Sequence, residues 1–164
     1  MDEVRSFRDL RVYQKLKALH LDVHTLSLGF PKFELYELGS QVRRSSNSAP
    51  AQIAEGWGSR HTNIYIETIN RAMGEVRETQ HHLEVAKDKA YLTPVRFREL
   101  DDGYDHCGRM LERLHQSLSE WRGSVRTGNT VRESHAEYGT VAGPDPEWHK
   151  AVELTLQVTT EVED

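Results

Sequence analysis

Apolar side chains recur every three or four residues along most of the first 121 positions of the chain. This spacing places them on one face of an α-helix. Glycine and proline residues separate the runs. The pattern predicts four helices, at residues 10–28, 33–57, 62–90 and 94–121. A repeat near 3.5 residues on helices joined by short loops favours an antiparallel bundle with crossing angles of about +20°.

The third and fourth predicted helices have the most regular stripes. The third carries Tyr65, Ile69, Ala72, Val76, Thr79, Leu83, Ala86 and Ala90. The fourth carries Leu100, Tyr104, Cys107, Leu111, Leu114, Leu118 and Trp121. The first helix has a shorter stripe of Val12, Leu16, Leu19, Val23 and Leu26. These side chains form the predicted core.

Local signals mark where the predicted helices begin and end. Asp9 is a plausible N-cap for the first helix, and Thr62 or Asn63 for the third. Pro94 suits the first position of the fourth helix, and Gly123 is placed to end it. Gly74, within the third helix, costs about 1 kcal/mol relative to alanine. We therefore expect another helix to approach closely there.

The stretch from Ser40 to Ser59 combines a helical pattern with a proline. Pro50 removes a backbone donor and clashes with the preceding turn, at a cost of about 3 kcal/mol. Two short helices or a loop rich in serine and asparagine are therefore alternatives. We favour one kinked helix whose polar first half packs closely on its neighbours through small side chains.

Charge is unevenly divided along the chain. Residues 1–123 carry 18 Lys and Arg against 18 Asp and Glu, whereas residues 124–164 carry 3 against 8. The neutral body is expected to be the folded domain, and residues 124–164 an acidic, largely disordered tail. Apolar and polar residues alternate over 151–159, which is a strand pattern, with chance alternation in a disordered tail as the alternative.

Composition also indicates a compartment. The charged N-terminus has no apolar core of a secretory signal, and no apolar run reaches the roughly 18 residues of a membrane span. Cys107 is the single cysteine, so an internal disulfide is excluded. We expect a cytoplasmic protein without a membrane partner.

The chain resembles the 23S rRNA intervening-sequence protein family, also called the four helix bundle protein family. Matching residues lie between Phe7 and about Trp121. They include Phe7–Lys15, Phe30-Pro31-Lys32, Glu34, Tyr36, Leu38, Ser40-Gln41, Arg43-Arg44, Pro50-Ala51, Ile53–Gly56, Gly74, Glu78, Leu83, Ala86, Tyr91-Leu92 and Arg109-Met110-Leu111. Departures are Gln52 where the family usually has Asn, Ala49 where it has Ile, and Glu75 where it has Ser.

The resemblance implies an all-α protein, an up-down-up-down left-handed antiparallel four-helix bundle that assembles into a ring, commonly a homopentamer. A distant relative, the accessory subunit of diversity-generating retroelements, is a basic pentamer that binds nucleic acid and a reverse transcriptase. The neutral body of this chain matches the rRNA-insertion branch better.

Two sets of residues are candidates for contact with partners. The first is a surface that contacts RNA or DNA, made of Arg5, Arg8, Arg11, Lys15, Lys17, Arg43, Arg44 and Arg60. Its alternative is a solvated face, or salt bridges between subunits through Glu34, Glu37 and Glu55. The second is a subunit interface made of Tyr13, Tyr36, Pro50, Glu55 and Trp57. Glu55 is expected to be partly buried and paired with another helix or subunit.

Aromatic residues cluster in the first two predicted helices and near their ends, and they include three members of the predicted interface. Tyr13, Phe30, Phe33, Tyr36, Trp57 and Tyr65 form this group. Together they indicate an exposed apolar patch, with core packing as the alternative for some of them.

Metal binding and catalysis have weak support in the sequence. Glu78-x-x-His81 and Glu112-x-x-His115 have the spacing of a di-metal bundle site, yet they project away from the apolar stripes. His20 and His24 are more typical of a solvated or interfacial pair. Cys107 lies on the stripe as a buried thiol. We therefore expect no enzyme, cofactor or metal.

The sequence thus predicts a non-enzymatic homo-oligomer that acts as a scaffold or a nucleic-acid-associated accessory factor. The alternative is a protein-protein interaction module that binds no nucleic acid and recruits its partner through the tail.

Overall fold

Four α-helices and two short 3₁₀-helices make up the described part of the chain. The computed structural model describes residues 5–57, 59 and 61–128, with side chains as far as residue 122. The α-helices are α1 (Arg11–Ser27), α2 (Leu38–Trp57), α3 (Thr62–Asp88) and α4 (Pro94–Gly128). The 3₁₀-helices are Phe7–Asp9, before α1, and Lys32–Leu35, between α1 and α2. The strand predicted at 151–159 lies outside the described residues.

The helices pack together as a bundle around one core. Each helix contacts the next in sequence, and α1 also contacts α4. The predicted stripes of α3 and α4 are confirmed, because their members from Tyr65 to Ala86 and from Leu100 to Leu118 are buried. The described residues therefore confirm an all-helical fold, and the 3.5-residue repeat predicted which residues form its core.

Helix α2 runs through Pro50 without interruption. Ser45, Ser46 and Ala49 are buried in its first half, as predicted, and Pro50 is buried with them. The Thr79 hydroxyl of α3 lies 2.9 Å from that of Ser45. Small side chains at these positions let the neighbouring helices approach closely enough to offset the missing backbone hydrogen bond.

Several predicted helix ends are wrong by a few residues. Asp9 does not cap α1; with Ser6 it forms a capping box on the 3₁₀-helix Phe7–Asp9. His61, rather than Thr62 or Asn63, is the N-cap of α3, without a side-chain hydrogen bond. Gly123 does not end α4, which continues to Gly128, because one glycine costs a helix only about 1 kcal/mol.

The end of α3 also differs from the prediction. Ala90 is not a core position but is exposed, with a left-handed backbone (φ 61°) that stops the helix. The Tyr91 N–H donates to the Ala86 carbonyl and the Ala90 N–H to that of Lys87, both at 2.9 Å. This pair of hydrogen bonds is a Schellman motif. It turns Lys89 and Tyr91 toward the segment that precedes α2.

Gly74 is not a site of close helix approach within the chain. It is exposed, and a β-carbon placed there would have no neighbour within 4 Å. The close approaches are at Gly56, where a β-carbon would collide with Thr68, and at Gly103, where it would lie 2.8 Å from Leu19. That part of α3 is therefore uncovered by the other described residues.

Candidate functional site

Residues 28–37, between α1 and α2, form a corner of the bundle around the buried carboxylate of Glu34. The Glu34 side chain has one oxygen 2.6 Å from Lys89 Nζ and 3.1 Å from the Tyr91 hydroxyl. Its other oxygen accepts the Leu38 N–H at 3.2 Å, which satisfies a donor in the first turn of α2. Only 3% of Glu34 is exposed. The suggested salt bridge from Glu34 to another subunit is therefore replaced by one within the chain.

Hydrogen bonding determines the charge state of this carboxylate. The bond from Lys89 is the largest influence and lowers the pKa of Glu34, and the donors at Leu38 and Tyr91 act in the same direction. Burial opposes them by favouring the neutral form. The same bond raises the pKa of Lys89. Glu34 and Lys89 thus form an ion pair that holds the 3₁₀-helix against the end of α3.

Arg43 strengthens the same corner from the side of α2. Its guanidinium donates to the Ser27 hydroxyl at 3.0 Å and to the Leu35 carbonyl at 2.7 Å. This side chain was predicted to contact a polyanion. In the structure two of its donors lie on the end of α1 and on the 3₁₀-helix Lys32–Leu35, where they link three segments of the chain, and contact with a polyanion stays a prediction.

Large apolar side chains project into solvent at this corner and on the adjoining helix. Tyr36 is 83% exposed and Phe33 69%, whereas Leu21 and Leu28 of α1 are 56% and 55% exposed. The bonds of Glu34 and Arg43 fix the backbone that carries Phe33 and Tyr36. Where such side chains form a contiguous patch, they are typical of an interaction surface.

The other predicted interface aromatics divide between surface and core. Phe30 and Tyr65 are buried, as the core alternative proposed. Tyr13 is half-buried with its ring edge-on to Phe7 at 4.9 Å, and Trp57 is half-buried beside Tyr65 at 6.4 Å. Of the predicted aromatic group, Phe33 and Tyr36 are therefore the strongly exposed members, and the exposed leucines were missed by sequence reasoning.

Glu55 does not have the predicted partial burial, because its side chain is exposed at the end of α2. The expected pairing with another subunit stays a prediction. The buried carboxylate of this region is Glu34, which sequence reasoning did not single out. Its signal was weak, since its partner Lys89 lies 55 residues away in sequence.

The basic residues lie on several faces of the protein. Arg5, Arg8, Lys15, Lys17 and Arg44 are exposed, and Arg11 is half-buried. Lys15 and Lys17 are two residues apart in α1, so they point about 200° apart around its axis. The guanidinium of Arg8 stacks 4.5 Å from the Phe7 ring. Arg60 lies outside the described residues.

A polar layer crosses the core near the middle of α2. Ser46 donates to the Arg43 carbonyl at 3.1 Å, and its oxygen lies 2.9 Å from Nδ1 of His20. The Ser46 hydroxyl is thus within hydrogen-bond distance of both α1 and the backbone of its own helix. Burial lowers the pKa of His20, and the nearby His24 lowers it further. Of the two histidines on α1, His20 thus packs against α2 and favours its neutral form.

The candidate metal and catalytic groups are separated from one another. Glu78, His81 and Glu112 are exposed, as their distance from the apolar stripes predicted. The described residues contain no group of three or more His, Cys, Asp or Glu side chains placed to hold a metal. Cys107 is buried, and burial raises the pKa of its thiol to about 11. The prediction of a buried thiol is confirmed, and at neutral pH that thiol is protonated.

None of the helices in the described part of the chain is long and apolar enough to cross a lipid bilayer.

Comparison with known proteins supports the family resemblance noted in the sequence. A search of curated proteins found no match. The family model described as 23S rRNA-intervening sequence protein matches residues 8–113. This region starts just before α1 and ends within α4, so it includes the Glu34 corner and the Gly74 surface. Because the match covers well over half of the sequence, the chain belongs to the 23S rRNA-intervening sequence protein family.

Proposed function

We propose that this protein is a non-enzymatic scaffold that associates with copies of itself into a ring, with five subunits as the expected number. Each subunit is an up-down-up-down, left-handed bundle, and the protein works in the cytoplasm. Support for self-association comes from the exposed apolar side chains of Leu21, Leu28, Phe33 and Tyr36. Burial of a leucine or an aromatic side chain contributes about 1.5–3 kcal/mol, so a contact that covers four of them stabilises an assembly substantially.

The state of the reactive groups favours a scaffold over an enzyme. The Glu34 carboxylate is buried under three hydrogen-bond donors from its own chain. Burial keeps the Cys107 thiol protonated at neutral pH. A general base or a nucleophile has to reach a substrate, and these two groups serve packing instead.

A second candidate function is contact with nucleic acid through the beginning of α1. Arg8 and Lys15 are exposed within two helical turns of each other. Against it stands the dispersal of the other cations, since Lys17 lies across α1 and Arg43 bonds within the chain. Association into a ring would repeat the Arg8 and Lys15 pair around an axis, which increases the local positive potential.

Two measurements on the same samples test both functions. Light scattering across a range of protein concentrations gives the mass of the particle. Fluorescence anisotropy with a structured RNA and with a duplex DNA, at several salt concentrations, gives nucleic-acid affinity. We expect a stable oligomer. A chain that stays monomeric at high concentration contradicts the scaffold.

Charge reversal separates specific nucleic-acid contact from general attraction. The test variant is Arg8→Glu with Lys15→Glu, and the control is Arg113→Glu, an exposed arginine on α4. If the second function is correct, the test variant loses affinity and its salt dependence becomes shallower, while the control retains both. Equal affinity in the two variants, or none in the wild type, removes the nucleic-acid function and leaves the scaffold.

The alternative module that recruits a partner through residues 124–164 rests on a segment that lies almost entirely outside the described residues. A chain ending at Gly128 keeps all of α4. If the oligomer of this shorter chain has the same number of subunits, assembly belongs to the bundle, and partner capture by the tail is a separate activity.

A further inference from the structure

A groove lies open between α3 and α4. It has a volume of about 280 Å³, and Met73, Val76, Tyr104 and Gly108 contribute to its lining. Gly108 has no side chain, and a β-carbon placed there would have its nearest neighbour, Val76, 4.0 Å away. The seam between Gly108 and Met73 therefore has room for an incoming side chain. Gly74 lies beside Met73, exposed and without a contact within 4 Å. Among the described residues, no contact requires glycine at position 74, although it costs an α-helix about 1 kcal/mol.

A ridge of matching dimensions runs along the outer face of α1. Lys17, Leu21, His24 and Leu28 are all exposed and follow one another at spacings of 4, 3 and 4 residues. Leu21 points about 200° away from the buried Val23, so it faces away from the core. The two leucines are seven residues apart, about 10.5 Å along the helix. Met73 and Gln80, which line the groove, have the same separation on α3.

Charge on the two surfaces is complementary. The ridge carries Lys17 and His24 and has no carboxylate among its four members. The α4 side of the groove carries Asp105 and Glu112, with Asp101 next to them, against one arginine, Arg109. Arg109 pairs with Asp105 at 3.2 Å. Arg77 adds a cation on the α3 side. The α4 rim therefore carries three carboxylates against one arginine, which is complementary to the Lys17 ammonium of the ridge.

We propose that the α1 ridge of one copy docks into the α3/α4 groove of a second copy, with Leu21 and Leu28 over Met73 and Gln80 and with Gly108 on the α4 side of the contact. This inference rests on the proposed self-association and specifies its geometry. The ridge and the groove are different surfaces of one chain, so the contact is heterologous, and every subunit uses both surfaces. Such a contact closes into a ring or extends as a filament, whereas two identical surfaces meeting each other would stop at a dimer.

Complementary variants test this arrangement. The ridge variant is Leu21→Glu with Leu28→Glu, which places carboxylates against the acidic rim. The groove variant is Gly74→Gln with Gly108→Gln, which adds side chains where a β-carbon has room. The control is Val95→Glu, an apolar residue with similar exposure in the first turn of α4. Circular dichroism and thermal unfolding establish that each variant folds.

Sedimentation velocity of the full-length chains gives the result. We expect each double variant to raise the apparent dissociation constant by about 100-fold or more, and the control to assemble as the wild type does. An equimolar mixture of ridge and groove variants then forms a one-to-one dimer, because one intact ridge meets one intact groove. A mixture that stays monomeric overturns the heterologous contact.

The same experiment distinguishes failure of this inference from failure of the scaffold. If the wild type assembles and both double variants assemble equally well, the ridge and the groove are not the interface, and the scaffold stands. If the wild type is a monomer at every concentration, the scaffold fails and the docking fails with it. A chain ending at Gly128 lacks residues 129–164. If this chain fails to assemble while the ridge variant still assembles, residues 129–164 occupy the groove, and the proposed occupant is wrong.

Discussion

The seam between α2 and α3 is closed, whereas the seam between α3 and α4 is open over part of its length. Ser45 with Thr79 and Gly56 with Thr68 close the first seam, and Glu34, just before α2, pairs with Lys89, just after α3, at its end. The second seam is held toward one end, where Gln80 donates to Asp101 at 2.8 Å and Lys87 lies over the Phe97 ring. From Gln80 to Met73 the same seam is lined by the groove.

The two seams show that a glycine in a helix has more than one physical meaning. Gly56 is required because its position is filled by Thr68 and Tyr65 from α3. Gly74 has open space around it. Sequence alone assigns both the same helix penalty of about 1 kcal/mol. Contacts within the chain explain the first glycine, and a contact between chains is our explanation for the second.

The largest expected effect is at the closed seam. Gly56→Ala adds a methyl group that collides with the Thr68 hydroxyl and lies 2.7 Å from the Tyr65 ring. Overpacking of this kind costs about 1–3 kcal/mol, so the free energy of unfolding in urea should fall by about that amount. Adding Thr68→Ala should recover part of the loss, because the colliding hydroxyl is gone. Purely additive losses would contradict the steric explanation.

Glu34→Gln should weaken the end of the closed seam next to α2. Its pKa is lowered in the folded state, so the ionised carboxylate contributes stability above the unfolded value of 4.5. That contribution is lost as pH falls through the lower folded pKa. We expect Glu34→Gln to lower the Tm by several degrees at pH 7. The difference from wild type should shrink as pH falls below about 4.5.

The exposed neighbour Glu37 provides the control for that measurement. Glu37→Gln should leave the Tm and its acid limb close to those of the wild type, because surface carboxylates contribute little. If both variants have the same acid limb as the wild type, Glu34 is not the group whose ionisation stabilises the corner.

The sequence pattern predicted the buried residues of the helices better than the segment that connects α1 to α2. The stripes of α3 and α4 were sufficient because burial of one helical face depends on local spacing. The 3₁₀-helix at Lys32–Leu35 was missed, since it is held by Glu34 and Arg43 through residues that are distant or on other segments. The exposed Leu21 and Leu28 were not predicted, because the apolar stripe of α1 indicates only which of its residues face the core.

A smaller effect is expected at the middle of the closed seam. Thr79→Val replaces the hydroxyl with a methyl group of nearly the same size and removes its 2.9 Å contact with Ser45. The net loss for one hydrogen bond is about 1 kcal/mol. Urea denaturation measures it, and Thr25→Val, at an exposed position of α1, is the matched control. A loss as small as that of the control would mean that the Ser45 hydroxyl is satisfied without Thr79.

Gly74→Ala should have the smallest effect in the assembled protein, because the size of its effect depends on the state of assembly. In a dilute monomer the change removes the helix penalty and stabilises the chain by about 1 kcal/mol, since no atom lies within 4 Å of the new methyl group. In the assembly, the same methyl group stands at the edge of the docked ridge. Urea midpoints should therefore rise in dilute samples, and the gain should diminish at concentrations where the wild type assembles. A gain of the same size at all concentrations would mean that no partner approaches Gly74, and the open seam would then need another explanation.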